Sequence, residues 1–325
     1  MRIGLEDMTV NRIVNRMALR FTLRQLEYFV AVGEQGSIAR ASAYVNVSSP
    51  SISSAIAHLE AEFGFPLFLR KHAHGLNLTQ AGRQFMDQAR NLLVEADNLN
   101  RLAGTISGHV QGPLNVGCLL TFAQLLLPAI RRGFQHKYED VQVSQFEYDQ
   151  ETLIQKLNRA EIDLALTYDI EIPPELEFIP LRSLAPYAVF AKDHPLANLK
   201  SVSVKALVDH PMVLLDLPMS KTYFLSVFEN AGSTPHIVER TRDMAVMRSL
   251  VANGFGFSIA NIRPHSDLSP DGRGLVYIPL DGEHRPLRLG FIIPEGARNV
   301  LCVDAFLNHA TQTISQWGYP GHALD

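Results

Sequence analysis

The sequence predicts an α/β chain in two parts: a small helical N-terminal part that runs into one long helix, and a larger part of alternating strands and helices. Three observations predict it. Apolar residues from Leu23 to Phe63 recur at helical spacing, and the recurrence is broken at Gly33, Gly36, Ser37 and the run Ser48, Ser49, Pro50. From Thr79 a single apolar stripe continues unbroken over 79–107. Beyond Gly108 and Gly112-Pro113 the texture changes to short β-rich runs separated by helical ones, the pattern of a sheet with crossover helices.

Each element has its own signal. Thr22 is an N-cap, and Leu23, Leu26, Phe29 and Val30 share a helical face that Gly33 and Gly36 close. Ser37 caps a short second helix with Ile38, Ala41 and Val45 inward, and Asn46-Val47 is a tight turn. Ser48 or Ser49 caps a third helix, where Pro50 sits in the first turn and its missing N–H costs nothing. Ile52, Ile56, Leu59 and Phe63 form its buried stripe, and Gly64 ends it. Two short helices joined by a tight turn make a helix-turn-helix. The segment 65–78, with a turn at His74-Gly75, reads as a hairpin. Thr79 caps the long helix, whose stripe is Phe85, Ala89, Leu92, Ala96, Leu99, Leu102 or Ala103, and Ile106. So long a helix with one apolar stripe needs a partner helix, which a homodimer supplies.

In the second part, strands are expected at 114–118, 141–148 and 162–168, with helices at 121–134 and 151–159 between them, which predicts a parallel sheet. Further strands are expected at 185–191, 213–215, 256–260 and 287–293, and helices at 221–231 and 244–253.

The bulk properties narrow the function classes. A net charge of -4 argues against a chain that coats nucleic acid indiscriminately, while leaving room for a small DNA-binding domain. With 2 cysteines, Cys118 and Cys302, there is neither a disulfide framework nor a zinc ligand set, and a reducing cytoplasm is expected. No apolar run has the length of a signal peptide or a membrane span. Residues 1–21 read as an extension, with Met17 an alternative start.

The second helix of such a pair enters the major groove N-terminus first. Its start holds Ser48, Ser49, Pro50, Ser51, Ser53 and Ser54, whose small hydroxyls allow close approach to phosphates and base edges. With Ser37, His58 and the basic hairpin residues Arg70, Lys71 and His74, these are the residues expected to face DNA. Serine-rich helix starts are also plain capping, and Arg70 and Lys71 alone would be a solvated tip.

The order of these features resembles the winged helix-turn-helix of LysR-type transcriptional regulators. The resemblance stands on LRQLEYFVAVGEQGSIARASAYVNVSSPSISSAIAHLEAEFGFPLFLR and LNLTQAG, and extends over nearly the whole chain. Within these runs Ser37, Ala41, Ser48, Pro50, Ser53, Leu59, Glu60, Gly64, Leu67, Phe68, Arg70, Leu78, Thr79, Ala81 and Gly82 match the family pattern. Ser49, Ser54, Ala57 and His74 depart from it, standing where the family often has Gln, Arg, a basic residue and Arg. Fewer long donors reach the groove, so phosphate contact and DNA shape carry more of the recognition.

The resemblance implies an architecture: a winged helix-turn-helix at 22–78, a dimerising helix at 79–107, a hinge at 108–113 and an effector-binding domain at 114–318. That domain resembles periplasmic binding proteins, with two α/β subdomains and a ligand cleft between them. Leu119, Thr121, Gln150, Thr167, Tyr168, Pro218 and Ser220 fall on the family's ligand-lining segments, at strand ends and helix starts where open α/β sheets bind ligands. Thr121 and Ser220 are equally good helix caps. The family further implies a homodimer or homotetramer on double-stranded DNA, a small-molecule effector such as a carboxylate, contact with RNA polymerase, and no cofactor.

Enzyme readings are weak. Gly254 and Gly256 lack a third glycine, Ile259 standing in its place, and they precede a strand. His72 and His74 have no acidic or cysteine partner nearby, so no metal site is expected. Cys118 reads as a redox thiol or, more simply, as a small buried apolar residue. No clustered acid, base or nucleophile is visible. The alternative to a regulator is a small-molecule binding protein with no DNA role, which would not need the helical N-terminal part.

Overall fold

The computed structural model describes residues 19–70 and 76–316. Two compact units divide after Asn100, within the long helix.

The first unit is built from local caps. Helix α1 (Leu23–Gln35) opens with a capping box, Thr22 accepting from the Gln25 amide while the Gln25 side chain accepts from the Thr22 amide. Ser37 caps α2 (Ile38–Val45), and Asn46 closes it with φ of 52°, the left-handed turn that Asn tolerates. Ser48 caps α3 (Ser49–Phe63). Leu26, Phe29, Val32, Ala41, Ile52, Ile56 and Leu59 form one core beneath the three helices. Strands β1 (Phe68–Arg70) and β2 (Leu76–Leu78) pair antiparallel, as the hairpin pattern predicts. Glu60 fixes their start by accepting from the amides of Leu67 (2.8 Å) and Phe68 (3.3 Å). Thr79 donates to the Pro66 carbonyl and accepts from the Gly82 amide, both at 2.8 Å. A Cβ at Gly82 would stand 2.1 Å from the Leu67 carbonyl oxygen, so this close approach requires glycine.

Helix α4 (Gln80–Ser107) begins against this core through Met86 and Ala89, with Phe85 edge-on to Phe29 at 5.3 Å. Further along, Leu99 and Ile106 are 67% and 78% exposed.

The second unit holds three sheets. The first runs β4-β3-β5-β12-β6, from β3 (Gly112–Leu119), β4 (Val141–Tyr148), β5 (Leu164–Tyr168), β6 (Leu176–Leu184) and β12 (Leu287–Pro294). Its first three strands are parallel, as expected, but β12 runs antiparallel to both β5 and β6, so the sheet is mixed. Strand β3 already starts at Gly112, so Gly112-Pro113 belongs to the sheet and not to the expected hinge. The helix expected at 121–134 is two: α5 (Leu120–Ala123) and α6 (Leu127–Lys137). Pro128 explains the break, because inside a continuous helix its ring would clash with the preceding turn, whereas near the start of α6 it needs no N–H. Helix α7 (Gln150–Asn158) links β4 to β5.

The chain leaves the first sheet after Leu184 and enters the second at β7 (Tyr187–Ala191). There β10 (Ser258–Ala260) and β11 (Leu275–Pro279) flank β7 antiparallel, and β8 (Pro211–Leu215) pairs parallel with β9 (His236–Thr241). Val213 donates to the Phe257 carbonyl and Phe257 to that of Pro211, joining the two ladders. The short α8 (Val204–Leu207), α9 (Ser220–Glu229) and α10 (Met244–Ala252) complete this half. The chain then returns through β12, and α11 (Leu301–Gln316) packs on the first sheet with Phe306 edge-on to Phe134 at 4.9 Å. No helix among the described residues is long and apolar enough to cross a membrane.

Candidate functional site

Helix α3 buries Ile52, Ala55, Ile56 and Leu59 against the first core. That burial turns Pro50, Ser51, Ser53, Ser54 and His58 outward, and all five are exposed. Ser48 is exposed as well, but its hydroxyl lies 2.8 Å from that of Ser51, so these two serines satisfy each other. Ser49 is half-buried, and Ser37 accepts from the Arg40 amide as a cap. Arg70 ends β1, opposite Leu76. Lys71 and His74 lie outside the described residues, as does most of the 1–21 extension. Sequence reasoning passed over the outer side of α2, where Arg40 and Tyr44 are exposed, Tyr44 by 67%. Their spacing of four residues on a helix adjoining α3 was the available signal.

In the second unit the expected residues gather at strand ends. Thr121 follows β3, Gln150 follows β4, Thr167 and Tyr168 end β5, and Ser220 follows β8. The two sheet edges face each other: Arg242, after β9, donates to Asp149, after β4, at 3.1 Å, and Arg285 donates to the Asp169 carbonyl at 3.1 Å. The residues then divide by how their polar atoms are used. Thr167 donates to the Gln150 Oε1 at 2.8 Å, and the Gln150 amide group donates to the carbonyls of Tyr168 and Ile170. Both side chains are fully buried and engaged in holding α7 to β5. Leu119 is a core residue with no exposure, and Tyr168 packs edge-on to Phe122 at 4.6 Å. Thr121 and Ser220 behave differently. Each hydroxyl is buried, and neither has a hydrogen-bond partner. A buried hydroxyl left without a hydrogen bond costs about 1–3 kcal/mol, so each of these needs a partner from outside the chain, water or ligand.

The backbone at Ser220 is itself unusual. Met219 has φ of 64° and ψ of -49°, and the Ser220 amide donates to the Pro218 carbonyl at 2.8 Å. This is a γ-turn of the strained hand, in a residue with a full side chain. Strain of this kind concentrates where a backbone must present groups to a ligand.

Further orphans are Tyr187, Ser258, Asn261 and the Arg248 Nε, none of them anticipated from sequence. Tyr187 pairs with Ala260 at the same sheet edge as Asn261. Burial, with Tyr277 and Tyr168 close by, holds the Tyr187 phenol well above its usual range, so it is a neutral donor. Asn261 donates through Nδ2 to the Leu184 carbonyl and to the Tyr223 hydroxyl, which leaves Oδ1 an acceptor without a donor. Burial pushes the Tyr223 phenol up to about 12 despite the opposing hydrogen bond from Asn261. Cys118 is buried in β3, and burial reinforced by Glu147 pushes its thiol well above the usual range. A thiolate is disfavoured there, in keeping with the small apolar reading. Among the described residues, no group of three or more His, Cys, Asp and Glu is placed to hold a metal ion.

Residues 23–83 match the family described as bacterial regulatory helix-turn-helix protein, lysR family, and residues 107–315 match the LysR substrate binding domain. The HTH-type transcriptional regulator CysB of Haemophilus influenzae is 28% identical over 90% of this chain and 92% of its own length. Among solved structures, HinK, a LysR family transcriptional regulator from Pseudomonas aeruginosa, is 33% identical over 90% of this chain and 99% of its own, with a TM-score of 0.61. Full-length CbnR complexed with its target DNA shares the fold at 21% identity, covering 90% of this chain and 100% of its own, with a TM-score of 0.64.

Proposed function

The chain belongs to the LysR family of transcriptional regulators, and from that membership we propose which of its residues read DNA and which hold the effector. It is a DNA-binding regulator with a domain that binds small-molecule effectors. In this reading α3 enters the major groove with Pro50, Ser53, Ser54 and His58 toward the bases, while Ser37, Ser48, Ser49, Ser51 and the wing residues Arg70, Lys71 and His74 serve the backbone. Arg40 and Tyr44 join them on phosphate.

The effector sits between the two sheet edges. The observation that carries this is the pair of buried, unpartnered hydroxyls of Thr121 and Ser220. In this reading the effector is a small carboxylate whose oxygens accept from the two hydroxyls. Gln150, Thr167, Leu119, Tyr168 and Pro218 shape the walls. The exposed Leu99, Leu102 and Ile106 support a homodimer through α4. In this reading effector domains associate further into a tetramer. The effector favours one quaternary arrangement by differential affinity, changing DNA bending and RNA polymerase access in the cytoplasm.

A thermal-shift screen of small carboxylates against the full chain tests the site. A ligand raises the melting temperature of the native chain and not that of a Thr121→Tyr, Ser220→Tyr double variant, which still shifts its own upstream DNA in a gel. Loss of DNA binding by the folded double variant would count against the division of labour.

A further inference from the structure

The burial of α3 has a consequence for how DNA sequence is read. This 15-residue helix contains no Lys, Arg, Asn or Gln. Its buried side is Ile52, Ala55, Ile56 and Leu59. At about 100° per residue, the ridge directly opposite is Pro50, Ser54, Ala57 and Ala61. All four are exposed. Three of these four side chains carry no hydrogen-bonding group, and the fourth offers one hydroxyl. On the flanks, Ser51 is engaged by Ser48, Glu60 by the amides of Leu67 and Phe68, and Glu62 lies 3.9 Å from Arg20. His58 and Ser53 remain as directional groups.

The side chains that distinguish guanine and adenine in the major groove by paired hydrogen bonds are Arg, Lys, Asn and Gln. None stands on this helix. The apolar feature of the groove is the C5 methyl of thymine, and small apolar side chains are its partners. We propose that this regulator identifies its operator chiefly through thymine methyl groups met by the Pro50, Ala57 and Ala61 ridge of α3, and not through paired bonds to purine edges. The proposal rests on the reading of α3 as the groove helix and adds what that helix recognises. The small side chains bring the helix axis close to the groove floor, and methyl contact needs that proximity.

The test uses the full chain. Duplexes selected from a random pool are remade with uracil for thymine, one position at a time, and binding is read by fluorescence anisotropy. Uracil keeps every hydrogen bond and removes only the methyl. At one or two thymines per half-site it should weaken binding about fourfold, the value of one buried methyl at about 0.8 kcal/mol and 1.4 kcal/mol per tenfold. At those positions a pair of guanine with 5-methylcytosine should bind better than guanine with cytosine. 7-Deazapurines, which lack N7, should change binding less than twofold. Ala57→Gln, on an exposed position, should abolish the uracil effect at the facing base and introduce a preference for adenine there. Tolerance of uracil at every position, tenfold losses on 7-deazapurines, or an Ala57→Gln chain that selects the same sequence would each overturn methyl readout, the last pointing to a protein partner on the ridge. Failure to select any duplex at low salt would overturn the groove-helix reading with it.

Discussion

The outer side of α3 and the facing sheet edges of the effector unit use the same kinds of residue in opposite states. On α3, Ser53 and Ser54 are exposed, and water satisfies their hydroxyls in the free protein. In the effector unit, Thr121 and Ser220 are buried with no partner. An exposed hydroxyl gains little from a new hydrogen bond, because it exchanges one partner for another. A buried hydroxyl with no partner in the chain gains more, because fewer competing partners reach it. The difference suits the two tasks. A surface that samples many DNA sites needs weak, shallow contacts, whereas a cleft for one small molecule can hold its discrimination in a few unsatisfied atoms.

The largest effect is expected from Phe29→Ala. Phe29 is fully buried and packs edge-on against Phe68 and Phe85. Its loss should cost about 3–5 kcal/mol, melting the DNA-binding unit while the effector unit keeps its own calorimetric transition. A single transition that moves as a whole would show that the two units are not independent. Leu99→Glu with Ile106→Glu comes next. It should give monomers by sedimentation velocity and lower operator affinity by about 100-fold, since the second half-site is then no longer bound intramolecularly.

Thr121→Val with Ser220→Ala tests the contrast itself. Removing each orphan hydroxyl should raise unliganded stability by about 1 kcal/mol, or about 2–4 °C in Tm, while abolishing the effector-induced shift. Ser53→Ala on α3 should stay within about 0.5 kcal/mol. Equal responses at the two places would remove the distinction. The smallest effect is with pH. Burial, followed by the neighbouring His210, holds the His194 pKa below its usual value. The unfolded chain therefore takes up the proton first, and stability present above about pH 6.5 is lost as pH falls through the folded value. Tm should decline shallowly from pH 7.5 to 5.5, and less so in His194→Gln.

Much of the first unit was legible because its determinants are local. Thr22, Ser37, Ser48 and Thr79 each bond to a backbone amide three residues ahead, a pattern visible in the chain itself. Strand β6 was not legible, because Pro180 interrupts its run, and it survives only as the edge strand of its sheet. Strands β9 and β11 and helix α11 were likewise unforeseen. In the site, Thr121 and Ser220 were legible as short polar residues at strand ends. That Thr167 and Gln150 would satisfy each other was not, since they meet across 17 residues.

The helix caps, the turn at Asn46, the wing, the long stripe of α4 and the alternation that makes the second unit α/β are all written in the chain. These follow from contacts between residues a few positions apart, which periodicity and side-chain chemistry record directly. Which buried polar atoms find partners depends on contacts between distant parts of the chain. Asn261 meets Leu184 across 77 residues, and Arg285 meets Asp169 across 116. Such pairings depend on how two sheets close on each other, and no local pattern encodes them. The buried hydroxyls on which the proposed effector site rests, and the exposed small-residue ridge of α3, are what burial leaves over.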